Sequence, residues 1–111
     1  MIEETVIEYL SSCLDVPVYA EKPDNPPESY VMIIKTGGGE KNHICRAMLA
    51  VQSYAGNMLD AARLNERVKA AMKNSIKLAV ISKCGLNSDY NYTETAQKAY
   101  RYQAVFDLVH Y

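Results

Sequence analysis

Apolar residues recur along the chain at two different spacings, and the changes from one to the other mark out the elements. Ile2, Val6, Tyr9, Leu10 and Cys13 share one stripe of a helix over Ile2–Leu14, with Glu3, Glu4 and Glu8 turned away. Asp15 and Pro17 end it, because the residue before a proline is pushed out of helical geometry. Val16–Ala20 reads as a short strand, confined to a sheet edge by Pro17. Pro23, Pro26 and Pro27 make Glu21–Ser29 an extended, exposed loop. Tyr30–Thr36 reads as a central strand, with Tyr30, Met32 and Ile34 on one face and Val31, Ile33 and Lys35 on the other. Gly37, Gly38 and Gly39 break it, and Glu40–His43 lead through a long, mobile hairpin loop into a strand over Cys45–Ala55. Met58–Asn74 then carries Ala61, Leu64, Val68, Ala71 and Met72 at helical spacing, with Asn57 and Asp60 at a capped start. Ile76–Cys84 is a further strand, Gly85–Ala96 is polar and turn-prone, and Tyr100–His110 alternates cleanly.

The order helix, strand, strand, strand, helix, strand, strand predicts a single α+β domain over residues 1–111: a mostly antiparallel sheet with both helices packed on one face. Such a sheet has a second face. Val31, Ile33, Val105 and Val109 are expected there, too apolar to be left in water, so a partner is implied.

Composition narrows the chemistry. The formal net charge of −1 gives no electrostatic case for a nucleic-acid binder. Three cysteines, Cys13, Cys45 and Cys84, lie far apart and fit reduced thiols of a cytosolic protein better than a disulfide framework. The acidic start lacks the positive charge of a secretory signal, and the longest apolar runs fall far short of the ~20 residues that span a bilayer. Nine tyrosines against one phenylalanine and no tryptophan favour surfaces half covered by something else.

Candidate chemistry thins out on inspection. Gly37–Gly39 open into a strand and lack the Lys-Ser/Thr pair and following helix of a phosphate loop. His43 and Cys45, with Cys84 or His110, have no second closely spaced pair, so no metal is expected. Neither histidine sits in a setting that would activate a cysteine nucleophile; no catalytic residue and no cofactor are expected. The basic stripe Arg63, Arg67, Lys69, Lys73 and Lys77 suits solubility and the helix dipole. Tyr90 and Tyr92, in a polar loop, and Gly37, Gly38, Gly39, Glu40 and Lys41, in a mobile one, are the candidate partner contacts.

Several passages resemble the tail-terminator and tail-completion proteins of long-tailed bacteriophages and prophages. Val16–Pro23 with Pro26–Val31 is similar to that family's short strand, proline loop and second strand, and Lys35–Gly39 to its glycine break. Leu49–Ala55 running into Ala61–Met72 resembles its long strand and alanine-rich helix, and Tyr102–Leu108 its last strand. The segment Asn87–Ala96 departs from the pattern, being richer in tyrosine and poorer in glycine and proline. The resemblance implies a non-enzymatic assembly part: a ring, commonly of six subunits, on the head-proximal end of the tail tube. That ring stops tube growth and meets the head–tail connector, with DNA passing through without specific binding and no membrane involved. It implies host cytoplasm during assembly and then the virion tail. The alternatives are another head–tail joining protein or, from a different class, a small cytosolic domain with a ligand pocket between helix and sheet.

Overall fold

The computed structural model describes residues 1–111 as two helices and a five-stranded sheet. The elements are α1 (Ile2–Cys13), β1 (Val18–Tyr19), β2 (Tyr30–Lys41), β3 (Ile44–Ala55), α2 (Met58–Lys73), β4 (Ile81–Asn91) and β5 (Tyr100–His110). The strand order is β1-β2-β3-β5-β4; only the β1–β2 pair is parallel, so the sheet is mostly antiparallel and the fold is α+β. No helix is long and apolar enough to cross a membrane.

Both helices lie on one face of the sheet. Val6 and Leu10 of α1 and Leu64, Val68 and Met72 of α2 join Val31, Ile33, Leu49, Val51, Ala104, Phe106 and Leu108 in one buried cluster. Asn57 caps α2 as its spacing predicts: its side-chain oxygen accepts from the Asp60 amide at 2.9 Å, and its amide donates to the Asp60 carboxylate. Asn65 and Lys69 of α2 both donate to Asp89, tying the helix to β4.

Four expectations about the sheet need correcting. The short strand is only Val18–Tyr19, although it does lie at the edge. The glycines do not break β2; Thr36 forms a bulge between the paired Lys35 and Gly37, and pairing continues to Lys41 opposite Ile44. The hairpin therefore closes not through a long loop but through two residues, Asn42 and His43, with φ of 54° and 66°. Such left-handed backbone is what a two-residue turn between twisted strands requires, and Asn and His tolerate it better than most residues. Gly38 is required by close approach: a Cβ there would sit 2.9 Å from the Arg46 carbonyl oxygen.

The third correction concerns β4. Asn74–Lys77 is a 3-10 turn, and the strand runs over Ile81–Asn91 rather than Ile76–Cys84. Much of the expected loop Gly85–Ala96 is thus strand. Its polar residues are compatible with pairing because β4 is an edge with bulges at Ser82 and Asn87. The fourth concerns sheet faces. Val31 and Ile33 point to the helices, since Ile33 pairs through Val51 to Ala104. With both faces of Tyr30–Thr36 apolar, alternation alone could not choose between them.

Tyr9 joins the helices: its Oη donates to the Ala71 carbonyl at 2.7 Å, and burial, aided by Cys13, pushes its pKa up to about 12. A tyrosine in an unfolded chain ionises near ~10, so between these values the unfolded state has lost a proton that the native state keeps. The stability this phenol contributes is whole below pH ~10 and drains away as pH rises through the native value. Tyr9→Phe is expected to flatten the alkaline fall of the urea midpoint and to remove one late-titrating tyrosine from the absorbance titration. Equal alkaline slopes for the two proteins would refute this.

Candidate interaction surface

The face of the sheet away from the helices has no layer over it, and the register arranges its side chains in rows. One row is Tyr30, Tyr54 and Arg101; the next is Met32, Gln52, Gln103 and Tyr90; then come Ile34, Ala50, Val105 and Ser88. Beyond them lie Gly37, Met48, Asp107 and Gly85, and last Gly39, Arg46, Val109 and Lys83.

Aromatic and cationic groups cross the first end of this face from one sheet edge to the other. Tyr19 meets Tyr30 edge-on at 6.0 Å, and Tyr30 stacks on Tyr54 at 4.4 Å with 5° between the rings. The Arg101 guanidinium lies 5.7 Å from the Tyr54 ring and 4.4 Å from the Tyr92 ring. Tyr92 meets Tyr90 at 5.9 Å and 88°. Polar atoms stitch the same groups together. Arg101 donates to the Tyr54 hydroxyl and the Tyr92 carbonyl, Tyr54 donates to Gln52, Gln52 to Gln103, and Gln103 to Tyr90.

This accounts for the tyrosine-rich composition. Tyr30 and Tyr54 are buried by their neighbours in the row, with no covering helix. Burial, and behind it Tyr54, pushes the Tyr30 phenol up from its ordinary pKa. Tyr90 and Tyr92, at the end of the series, remain 42% and 44% exposed. They are the part of the series left exposed, of a residue type enriched in binding hot spots.

The other end of the face has three glycines in its rows. Gly37, Gly39 and Gly85, with Met48, Asp107 and Val109, line a trough of about 580 Å³ flanked by Arg46 and Lys83. None of the glycines has a positive φ, and a Cβ on Gly39 or Gly85 would meet nothing within 4 Å. Their lack of side chains is thus not demanded by the packing of this chain itself.

Of the candidate contacts, Gly37, Gly39, Tyr90 and Tyr92 fall at two ends of this face, whereas Gly38 and Glu40 have the opposite parity. Gly37 and Gly39 floor the trough, Gly38 packs toward the Lys35 side chain, and Glu40 and Lys41 lie at the exposed hairpin end, in strand and not in a loop. Tyr90 is a β4 residue and not a loop aromatic as expected, whereas Tyr92 lies just past that strand in the β4–β5 connection, as expected. Tyr19, Tyr30, Tyr54, Arg101, Gln52 and Gln103 were not singled out from the sequence. Tyr30, Tyr54 and Arg101 become neighbours only through cross-strand register, which spans over seventy positions of the chain.

The reactive residue types are dispersed. Cys45 pairs with His110, His43 is in the turn, and Cys84 lies on β4, where burial pushes its thiol pKa up and keeps it protonated. No group of three His, Cys, Asp or Glu side chains converges as metal ligands would. The basic stripe of α2 is largely satisfied within the chain: Arg63 pairs with Asp60, Arg67 with Asp15, and Lys69 with Glu66 and Asp89. Those two acids raise the pKa of Lys69, and Lys77 sits over the Tyr9 ring at 5.5 Å. Neither the family models nor the curated proteins contain a match to this chain.

Proposed function

We propose that this chain is a phage or prophage assembly part that caps the head-proximal end of the tail tube as a ring, stopping polymerisation and joining tail to head. The observation that carries the reading is the uncovered sheet face, which presents tyrosines and arginine at one end and a glycine-floored trough at the other. A face with such contents is suited to binding macromolecules by shape and stacking. The resemblance to tail terminators supplies the partners: further copies of the chain in a ring of about six, the tube protein and the connector. Ring contacts join unlike patches of successive subunits. Removing the gene from an inducible prophage is expected to yield tails of abnormal length and heads without tails, seen by electron microscopy of the lysate. Particles of normal form would reject the assembly role.

One observation favours a second reading, a ligand-binding domain. Between α2 and β4 a cavity of about 480 Å³ is lined by Ala70, Cys84, Leu86 and Phe106, with Glu66, Lys69 and Lys73 at its rim. This is the helix–sheet pocket that reading requires, though two of its three rim charges, Lys69 and Glu66, already pair with each other.

A further inference from the structure

We propose that the proline loop of one copy, Glu21–Ser29, seats on the Tyr90–Tyr92 notch of the next, so that successive copies join head to tail. The inference rests on the reading of the chain as a self-assembling part and names the two patches that meet.

The notch is a shaped receptor. Its two rings stand at 88° to each other, and Arg101 holds Tyr92 from behind by stacking and by a hydrogen bond to its carbonyl. Met58 and Leu59, at the start of α2, lie on the helix side of the sheet, where Met58 Sδ is within hydrogen-bond reach of Asn91 and Thr93, the residues that bracket Tyr92. Aromatic rings set across one another are what proline-rich segments dock against, because an extended proline run has little conformational freedom left to lose.

The loop supplies that ligand. Pro26 and Pro27 are exposed, Pro23 is half-buried, and no residue of Glu21–Ser29 belongs to a helix or strand. The loop also lies at the correct height. It feeds directly into Tyr30, whose row continues through Tyr54 to Arg101 beneath Tyr92. Loop and notch therefore occupy the same end of the sheet on opposite lateral edges, β1–β2 and β4. Four inter-strand spacings, roughly 19 Å, separate those edges, so the loop of a chain does not reach its own notch. A second copy set beside the first at the same level brings them together.

Charge agrees with this placement. Glu21 and Asp24 outweigh Lys22 on the loop, while the Arg101 guanidinium lies against Tyr92 at the notch and Glu94 and Lys98 of the β4–β5 connection cancel. Glu28 is already turned back over Gly56 and is not counted. Because the patches differ, the contact is heterologous and propagates to a ring or an open chain.

Sedimentation velocity over a range of concentrations tests this on the full chain. Wild type is expected to self-associate. A loop variant, Pro26→Ser with Pro27→Ser, and a notch variant, Tyr92→Ser, should each lose roughly tenfold or more in association. Thermal melting checks that both are folded, and Lys98→Glu serves as a second notch variant outside the stacked series. Mixed one to one, the loop variant (intact notch) and the notch variant (intact loop) should recover a heterodimer and nothing larger. A wild type that stays monomeric at every concentration overturns the inference, as does a folded variant that assembles like wild type or a mixture without heterodimer. These outcomes are separate from the fate of the assembly role, which the prophage deletion decides. A ring that survives loss of the loop prolines leaves that role intact and places the joint elsewhere.

Discussion

Replacing Phe106 by alanine is expected to cost about 3–5 kcal/mol, a large part of the roughly 5–15 kcal/mol that holds a domain together. Phe106 is 2% exposed on β5, next to Leu49 of β3 and Leu86 of β4 in the register, and it belongs to the cluster that both helices cover. Its removal takes apolar contact from the sheet and from α2 at once. It also enlarges the cavity against Ala70, which the surrounding strands cannot collapse to fill. Urea unfolding followed by circular dichroism gives the number. Leu59→Ala, at a side chain 59% exposed, should stay within about 0.5 kcal/mol of wild type. Equal losses for the two would mean that the core is not where the packing places it.

The second large effect lies on the uncovered face and separates stability from assembly. Tyr54→Ala removes a ring stacked on Tyr30 and an oxygen that accepts from Arg101 and donates to Gln52, so it should cost near the lower end of ~3–5 kcal/mol. Tyr54→Phe keeps the ring and loses only the hydroxyl, for about 1–2 kcal/mol. Tyr92→Ala, at the exposed end of the same series, should cost far less than Tyr54→Ala in unfolding. If the proposed role holds, it should nonetheless reduce the yield of complete particles from a complemented prophage deletion. Were Tyr92→Ala to leave particle yield unchanged, the exposed tyrosines would not be the contacts. A Tyr54→Ala protein as stable as Tyr54→Phe would show that the stack adds nothing.

These two sites differ in how they could be seen beforehand. Leu64, Val68 and Met72 repeat at helical spacing, and Ala104, Phe106 and Leu108 alternate cleanly, so the buried side of α2 and β5 is legible from local periodicity alone. Val31 and Ile33 face the helices and not the open face that their pattern suggests, because Tyr30, Met32 and Ile34 are equally apolar and period-two alternation then carries no sign. The extent of β4 is hidden for a different reason. Gly85, Asn87, Ser88, Asp89 and Asn91 have turn chemistry, and pairing with β5 overrides it at an edge where polar side chains stay in water.

What the sequence determined by itself, then, is whatever rests on neighbours a few positions apart: two amphipathic helices, the Asn57 cap, the proline loop, the alternation of the last strand and hence the α+β class. Only the tertiary structure decided which residues share a face across strands, and that is where the candidate surface resides. Tyr19, Tyr30, Tyr54, Arg101, Tyr92 and Tyr90 come from all five strands or their ends. Strand order and register bring them together, and both are set by long-range pairing energies that no local spacing encodes.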